Sequence, residues 1–150
     1  MKNFEYFAPP TKVVFGKDTE LQTGKLIREQ GGTKVLVHYG SRSAKASGLL
    51  DRVCRSLEQE GIGYVTLGGV KPNPRVSLAR EGIELCRREG VDFLLAVGGG
   101  SVIDSAKCIG YGLFNGLTAA TYGIFTRKRE QPPDAPRWGR CSPLRRPAAR

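Results

Sequence analysis

Three consecutive glycines, Gly98, Gly99 and Gly100, followed by Ser101 at a helix start, form the part of this chain whose residue types and spacing point to chemistry. The apolar run from Phe93 to Val97 precedes them and reads as a buried strand. Ser101 stands where a helix N-cap belongs, and Val102, Ile103, Ala106 and Ile109 give the next segment a helical period. Glycine lacks a Cβ, so backbone N–H groups there can approach a phosphate closely. A helix start adds unpaired N–H donors and about half a positive charge. The chemistry implied is anion binding by main-chain amides, with a diphosphate as the natural guest. The competing reading is a tight strand-to-helix turn that is merely rich in glycine. The order of strand, glycine turn and capped helix favours the cradle. It is not the common G-x-G-x-x-G fingerprint, because Ile103 takes the third glycine's place, and it is not a P-loop, because no Gly-Lys-Ser or Gly-Lys-Thr follows.

The elements that must position this cradle alternate in type along the chain. Phe4 to Phe7 and Val13 to Phe15 are short β-rich runs separated by Pro9-Pro10, which predicts an N-terminal β-hairpin. A helix is predicted over 18–30, stopped by Gly31-Gly32, and a strand over 34–39, ended by Gly40. A helix over 49–60, a strand over 63–67, a loop over 68–75 containing Pro72-Asn73-Pro74, and a helix over 76–88 follow. Strands alternating with helices of this length predict an α/β fold, a Rossmann-like parallel sheet with helices on both faces. Ligands of such sheets bind at the carboxyl ends of the strands. Gly40-Ser41, Pro72-Asn73-Pro74 and the glycine triplet share that edge, and together they make a coherent nucleotide crevice.

Composition narrows the partners. The chain has 150 residues, 39% hydrophobic and 25% charged, as a soluble globular domain has. No apolar stretch reaches the roughly 20 residues that cross a bilayer, and no signal peptide is evident, so no membrane partner is expected. The four cysteines, Cys54, Cys86, Cys108 and Cys141, form no C-x-x-C pair, and the first three fall beside apolar residues on predicted helices. They are expected to be reduced, buried thiols of a cytoplasmic protein. The net charge of +10 is unevenly spread. Residues 1–115 carry 16 basic and 12 acidic side chains, whereas residues 116–150 carry 8 and 2. The body is only mildly basic and gives little reason to expect nucleic acid.

The loops, in this order, resemble those of the iron-containing (group III) alcohol dehydrogenases, especially the butanol dehydrogenase-like branch. The resemblance covers about residues 4–113. It rests on Phe15-Gly16, on Tyr39-Gly40-Ser41, on Pro72-Asn73-Pro74-Arg75, and above all on Gly-Gly-Gly-Ser-Val-Ile-Asp-Ser-Ala-Lys at 98–107. That last motif is specific to this family and its glycerol dehydrogenase and dehydroquinate synthase relatives. The resemblance implies hydride transfer between NAD(P) and a small alcohol or aldehyde. It implies that Gly98, Gly99, Gly100 and Ser101 hold the pyrophosphate and that Asn73 hydrogen-bonds the cofactor near its ribose or nicotinamide half. Asp104 and Lys107 match the motif and are expected to organise the turn. NAD-selective members tend to place an aspartate at the position of Gly40, where it binds ribose hydroxyls and repels a 2′-phosphate. Gly40 does neither, and Ser41, Arg42 and Lys45 stand close enough in sequence to meet a phosphate. NADP(H) is therefore favoured over NAD(H), the alternative being that Arg42 and Lys45 form an ordinary solvated face. In the family, one Asp and three His of a following helical domain bind iron or another divalent ion, which polarises the alcohol oxygen. This chain has a single histidine, His38, on a predicted strand, and one histidine makes no such site. His38 is expected to be a packed strand residue. No metal ligand and no catalytic residue is expected, and the C-terminal helical metal-binding domain is expected to be absent.

From about Asn115 the texture changes. Five of the nine prolines lie beyond it, and hydrophobic periodicity ends. Read from the third codon base, the codons allowed for residues 121–126 can spell Val-Trp-Asp-Phe-Tyr. Those for 137–144 can spell Leu-Gly-Ala-Val-Leu-Thr-Ile, and those for 144–150 can spell Ala-Ala-Thr-Gly-Ser-Glu. The family continues after its glycine motif with an Asp-Trp-Asp segment and then a strand leading to a Thr-Gly-Ser-Glu loop. The expectation is a frame change near residues 113–117, which sequencing of the gene would test. Two units are accordingly expected: residues 1–115 as a dinucleotide-binding domain, and 116–150 as a non-native, disordered basic tail. On this reading the chain is a nucleotide-binding fragment without catalysis. The alternative is a stand-alone nucleotide-binding or regulatory module with a basic interaction tail. A homodimer through the N-terminal edge strand is a further expectation.

Overall fold

The structure, a computed structural model, describes residues 4–8, 11–40, 43–72 and 75–114. Among these, β1 (Phe4–Ala8) and β2 (Thr11–Phe15) pair antiparallel as the expected hairpin, with Phe4 opposite Phe15. A separate sheet holds β3 (Lys34–Gly40), β4 (Gly63–Val70) and β5 (Phe93–Val97). Its order is β4-β3-β5, and both pairings are parallel. The helices are α1 (Thr23–Glu29) before β3, α2 (Ser43–Ala46) and α3 (Leu49–Gln59) between β3 and β4, α4 (Val76–Glu89) between β4 and β5, and α5 (Gly100–Phe114) after β5.

The central strand explains the layering. Val35, Leu36, Val37 and His38 of β3 are all fully buried, as a strand covered on both faces must be. On one face Val35, Val37, Tyr39, Leu95 and Val97 pack against Ile27 of α1 and Leu50, Val53 and Leu57 of α3. On the other, Leu36, Leu67 and Leu94 meet Ala79, Ile83 and Cys86 of α4 and Ile109 of α5. The chain runs from β3 outward to β4, then returns past β3 to β5. The direction of winding therefore reverses between β3 and β5, and diverging connections leave a crevice at their carboxyl ends. At the opposite end Asp92 ties two strands together. Its carboxylate accepts from the amides of Thr33 and Lys34 and from the Thr33 hydroxyl, and its own amide donates to the Lys34 carbonyl at 2.9 Å.

Three local expectations are corrected. The segment expected as one helix over 18–30 is split into a 3-10 turn (Thr19–Gln22) and α1. Asp18 is left-handed before the turn, and the Thr23 amide and hydroxyl both donate to the Glu20 carbonyl, the hydroxyl at 2.7 Å, so the turn closes on an i−3 bond before α1 starts. The loop expected from Gly68 is instead strand as far as Val70. A Cβ on Gly68 would stand 2.6 Å from Cζ of Tyr39, so the absent side chain lets β4 lie against that ring. The short helix α2 was not expected. Of the thiols, Cys86 is buried, whereas Cys54 and Cys108 are half-buried, and none of the three is in a disulfide. Burial pushes the Cys86 thiol up to about 12, which keeps it protonated and inert. No helix among the described residues is long and apolar enough to cross a membrane. Cys141 and the expected tail, 116–150, lie outside the described residues.

One glycine tests the packing of α1 on α3. A Cβ on Gly24 would meet the Ser56 carbonyl oxygen at 2.1 Å, while the Gly24 amide donates to Ser56 Oγ at 3.0 Å. Backbone cannot yield as a flexible side chain can. Gly24→Ala is expected to destabilise the chain by about 1–3 kcal/mol, read from urea unfolding.

Candidate functional site

Tyr39 pairs with Val97, so Gly40 and Gly98 leave the sheet side by side at the point where the winding reverses. Gly40 also pairs with Val70, which brings the end of β4 to the same rim. A Cβ on Gly40 would touch only Val102 Cγ2, at 3.6 Å, an ordinary contact, so packing does not demand glycine there. Lys45 holds its ammonium 5.3 Å from the centroid of the Tyr39 ring and places a cation beside this rim.

The three glycines of the triplet differ in cause. Gly98 has φ of 155°, and a Cβ there would stand 2.7 Å from Val102 Cγ2. The backbone itself requires glycine at that position. Gly99 and Gly100 are exposed, and a Cβ on either would find no heavy atom within 4 Å. Nothing in the described fold calls for glycine at these two. The space beside them is open to a group arriving from outside.

Helix α5 begins at Gly100 rather than after Ser101. The Gly99 carbonyl accepts from the amides of Val102 at 3.0 Å and Ile103 at 3.2 Å, so Gly99 takes the capping position. Ser101 is therefore not the N-cap but the second helical residue. The Gly100 and Ser101 amides stand at the open end of the helix, where no helical carbonyl reaches them. The free amides and the positive end of the helix thus coincide with the two unconstrained glycines, an arrangement that suits an anion. Asp104 and Lys107 are both exposed on the following turns of α5. Ser41, Arg42 and Asn73 lie outside the described residues.

Sequence reasoning missed one pair. His38 is fully buried, and its Nδ1 lies 2.8 Å from the Leu67 carbonyl while Nε2 lies 2.9 Å from Ser105 Oγ. A carbonyl only accepts, so Nδ1 carries the proton, and the Ser105 hydroxyl donates to Nε2. The signal was present: a histidine inside a wholly apolar strand, and a serine at helical spacing between Val102 and Ile109. Ser105 also lines a cavity of about 160 Å³ at the end of β4, together with Lys71, Arg75, Ser77 and Glu81. A larger cavity, about 330 Å³, lies at the amino ends of the strands among Gly31, Val91, Phe93, Leu113 and Phe114. It faces the carbonyl end of α5, which disfavours an anion.

The described residues do not fit a metal ion. They contain no group of three His, Cys, Asp or Glu side chains able to hold one, and both ring nitrogens of His38 are engaged. They do fit a dinucleotide diphosphate, through the open amides and the bare surfaces of Gly99 and Gly100.

Comparison with known proteins shows what the chain is similar to. The family model described as iron-containing alcohol dehydrogenase matches residues 10–137. The probable NADH-dependent butanol dehydrogenase 2 of Bacillus subtilis is 45% identical over 129 residues, 85% of this chain and 32% of the relative. The NADPH-dependent aldehyde reductase YqhD of Escherichia coli is 40% identical over 111 residues, 73% of this chain and 27% of the relative. The crystal structure of NADH-dependent butanol dehydrogenase A from Thermotoga maritima superposes with a TM-score of 0.67 at 46% identity, over 75% of this chain and 28% of that one. The chain thus spans about a third or less of the length of these relatives.

Two measurements check the site's construction. Gly98→Ala is expected to cost about 1–3 kcal/mol of stability through backbone strain and the Val102 clash, whereas Gly100→Ala is expected to change it by less than about 0.5 kcal/mol. Urea unfolding of the two variants separates them. The buried imidazole sets a pH dependence. Burial holds His38 below the ordinary 6.5 against the opposing pull of the Leu67 carbonyl. An unfolded chain takes up that proton near 6.5, so the stability from neutral His38 is whole above that pH. It is lost as pH falls from 6.5 toward the lower folded value. Stability of the chain against that of His38→Gln across this window is expected to show the loss in the wild type only.

Proposed function

We infer the function from one premise: this chain belongs to the iron-containing alcohol dehydrogenase family. Our reading is that residues 1–115 form the dinucleotide-binding unit of an NAD(P)-linked oxidoreductase of the butanol dehydrogenase type, acting on a primary alcohol and its aldehyde. The observation that carries it is the pair of exposed glycines, Gly99 and Gly100, which no contact within the fold explains and which flank free amides at a helix start. Gly98, Gly99, Gly100 and Ser101 would hold the pyrophosphate. Asn73 would reach the ribose or nicotinamide half from the β4 rim, and Asp104 would brace the turn. The nicotinamide, when bound, supplies the hydride acceptor or donor. This chain's own part is to bind and orient it. Because the described residues fit no metal, the reading assigns no alcohol-activating step to this chain.

The reading extends to cofactor choice. Gly40 and Ser41 bring no carboxylate to the end of β3, so nothing in this position repels a 2′-phosphate, and Lys45 stands near. NADP(H) is favoured over NAD(H), although two of the relatives above are named for NADH. The three thiols, none of them in a disulfide, fit a reducing, cytoplasmic compartment. The β1–β2 hairpin stands as a two-stranded sheet of its own, and its edge suits pairing between two copies. Light scattering at twice the chain's mass checks that pairing.

Fluorescence titration of the full chain with NADPH and NADH tests the central reading. Saturable binding is expected, tighter for NADPH. Gly100→Leu, which fills the open space, is expected to weaken it by about tenfold or more without lowering the melting temperature. The reading fails if neither nucleotide binds, or if Gly100→Leu binds as the wild type does.

A further inference from the structure

We propose that His38 is a positioning residue for the amide cradle, holding the first turns of α5 at a fixed height over the strand ends through Ser105. The proposal takes its ligand from the dinucleotide reading above and its mechanism from the geometry of the chain alone.

The imidazole is a rigid strut across three elements. It sits in the middle of β3, accepts from the Ser105 hydroxyl of α5 at 2.9 Å, and donates to the Leu67 carbonyl of β4 at 2.8 Å. His38 and Ser105 are both fully buried. Ser105 lies four residues after Ser101, about 6 Å along the helix axis from the free amides. The other contacts at this end of α5 are apolar and mostly small: Val102 and Ala106 against Val70 and Ala96, with Leu78 and Ile103 beside them. Such contacts exclude water but have no direction, and small side chains let a helix slide or turn. A hydrogen bond at 2.9 Å does not, because a displacement of about 1 Å along the helix breaks it. Among the described residues, no other side-chain hydrogen bond joins residues 100–107 to the sheet. Deeper along α5, Ile109 packs where Gly82 of α4 leaves room, and a Cβ there would lie 2.4 Å from Ile109 Cδ1. That contact fixes the far half of the helix. The His38–Ser105 bond fixes the half that carries the cradle.

Isosteres separate the two ends of the strut. An asparagine amide stands near the place of Nδ1 and keeps the bond to Leu67 without reaching Ser105. A glutamine amide reaches the place of Nε2. The experiment measures hydrogen exchange of the full chain without nucleotide, and NADPH affinity at a pH above the ordinary histidine range. In Ser105→Ala and in His38→Asn, the amides of residues 103–107 are expected to exchange about tenfold faster, with NADPH affinity about tenfold weaker. The double variant is expected to be no weaker than either single one, because both remove the same bond. His38→Gln is expected to keep affinity within about threefold of wild type. If Ser105→Ala melts lower yet binds NADPH as the wild type does, the pair is structural only and the proposal is overturned. Should the wild type bind no dinucleotide, the functional reading fails. The exchange arm still decides the positioning claim, which falls if α5 of Ser105→Ala is protected as in the wild type.

Discussion

The burial of β3 on both faces is the constraint on which the other features of this fold depend. A parallel strand flanked by β4 and β5 can be covered only by helices that cross from one end of the sheet to the other. With β3 central, α3 must lie on one face and α4 and α5 on the other, and the chain must reverse its winding between β3 and β5. The crevice at Gly40 and Gly98 follows from that reversal rather than from any special feature of the loops. Asp92 locks the same two strands at their amino ends, so β3 and β5 are fixed at one end and diverge at the other. Burial alone would raise the Asp92 carboxyl, but the Thr33 hydroxyl and the Lys34 and Thr33 amides outweigh it and hold the group below its ordinary value.

Most of the architecture was legible in the residues. The Lys34–Gly40 and Phe93–Val97 runs have no polar alternation, which marks strands buried on both faces, and the glycine stops after each helix set the boundaries. What was not legible depended on partners distant in sequence. The extension of β4 through Gly68 follows from the Tyr39 ring, which the local sequence does not announce. The break before Thr23 rests on an i−3 bond from its amide to the Glu20 carbonyl, which the hydroxyl joins, and helical periodicity does not register it. The strand-to-helix turn was legible in its glycines, but the helix cap was placed two positions late. A serine in the first turn suits a cap by type, while the carbonyl geometry assigns that place to Gly99.

Two groups of glycines in the described fold differ in what they say about function. Gly24, Gly68, Gly82 and Gly98 would each drive a Cβ to less than 3 Å from a neighbour, so their identity is a packing matter. Gly99 and Gly100 meet nothing. A glycine that costs chain entropy and relieves no internal contact is unfavourable to the fold taken alone. On the dinucleotide reading, its presence is accounted for by close approach of the pyrophosphate. The adjoining free amides suit a group of negative charge.

The buried pair of His38 and Ser105 can be argued in the same way. Two apolar side chains of similar volume would close the gap between β3 and α5 with no polar group to satisfy, and at least as much stability would be expected. Left unpaired, each of the buried polar groups would cost about 1–3 kcal/mol, so the arrangement is tolerable only while the bond between them holds. What such a pair adds is therefore not stability but a single permitted geometry. An apolar seam leaves a helix several nearly equivalent heights on a sheet. A hydrogen bond to a ring that is itself anchored on Leu67 leaves one. The helix so fixed is the one whose amino end opens on the crevice, and that is where a displacement of an ångström matters most to a bound phosphate.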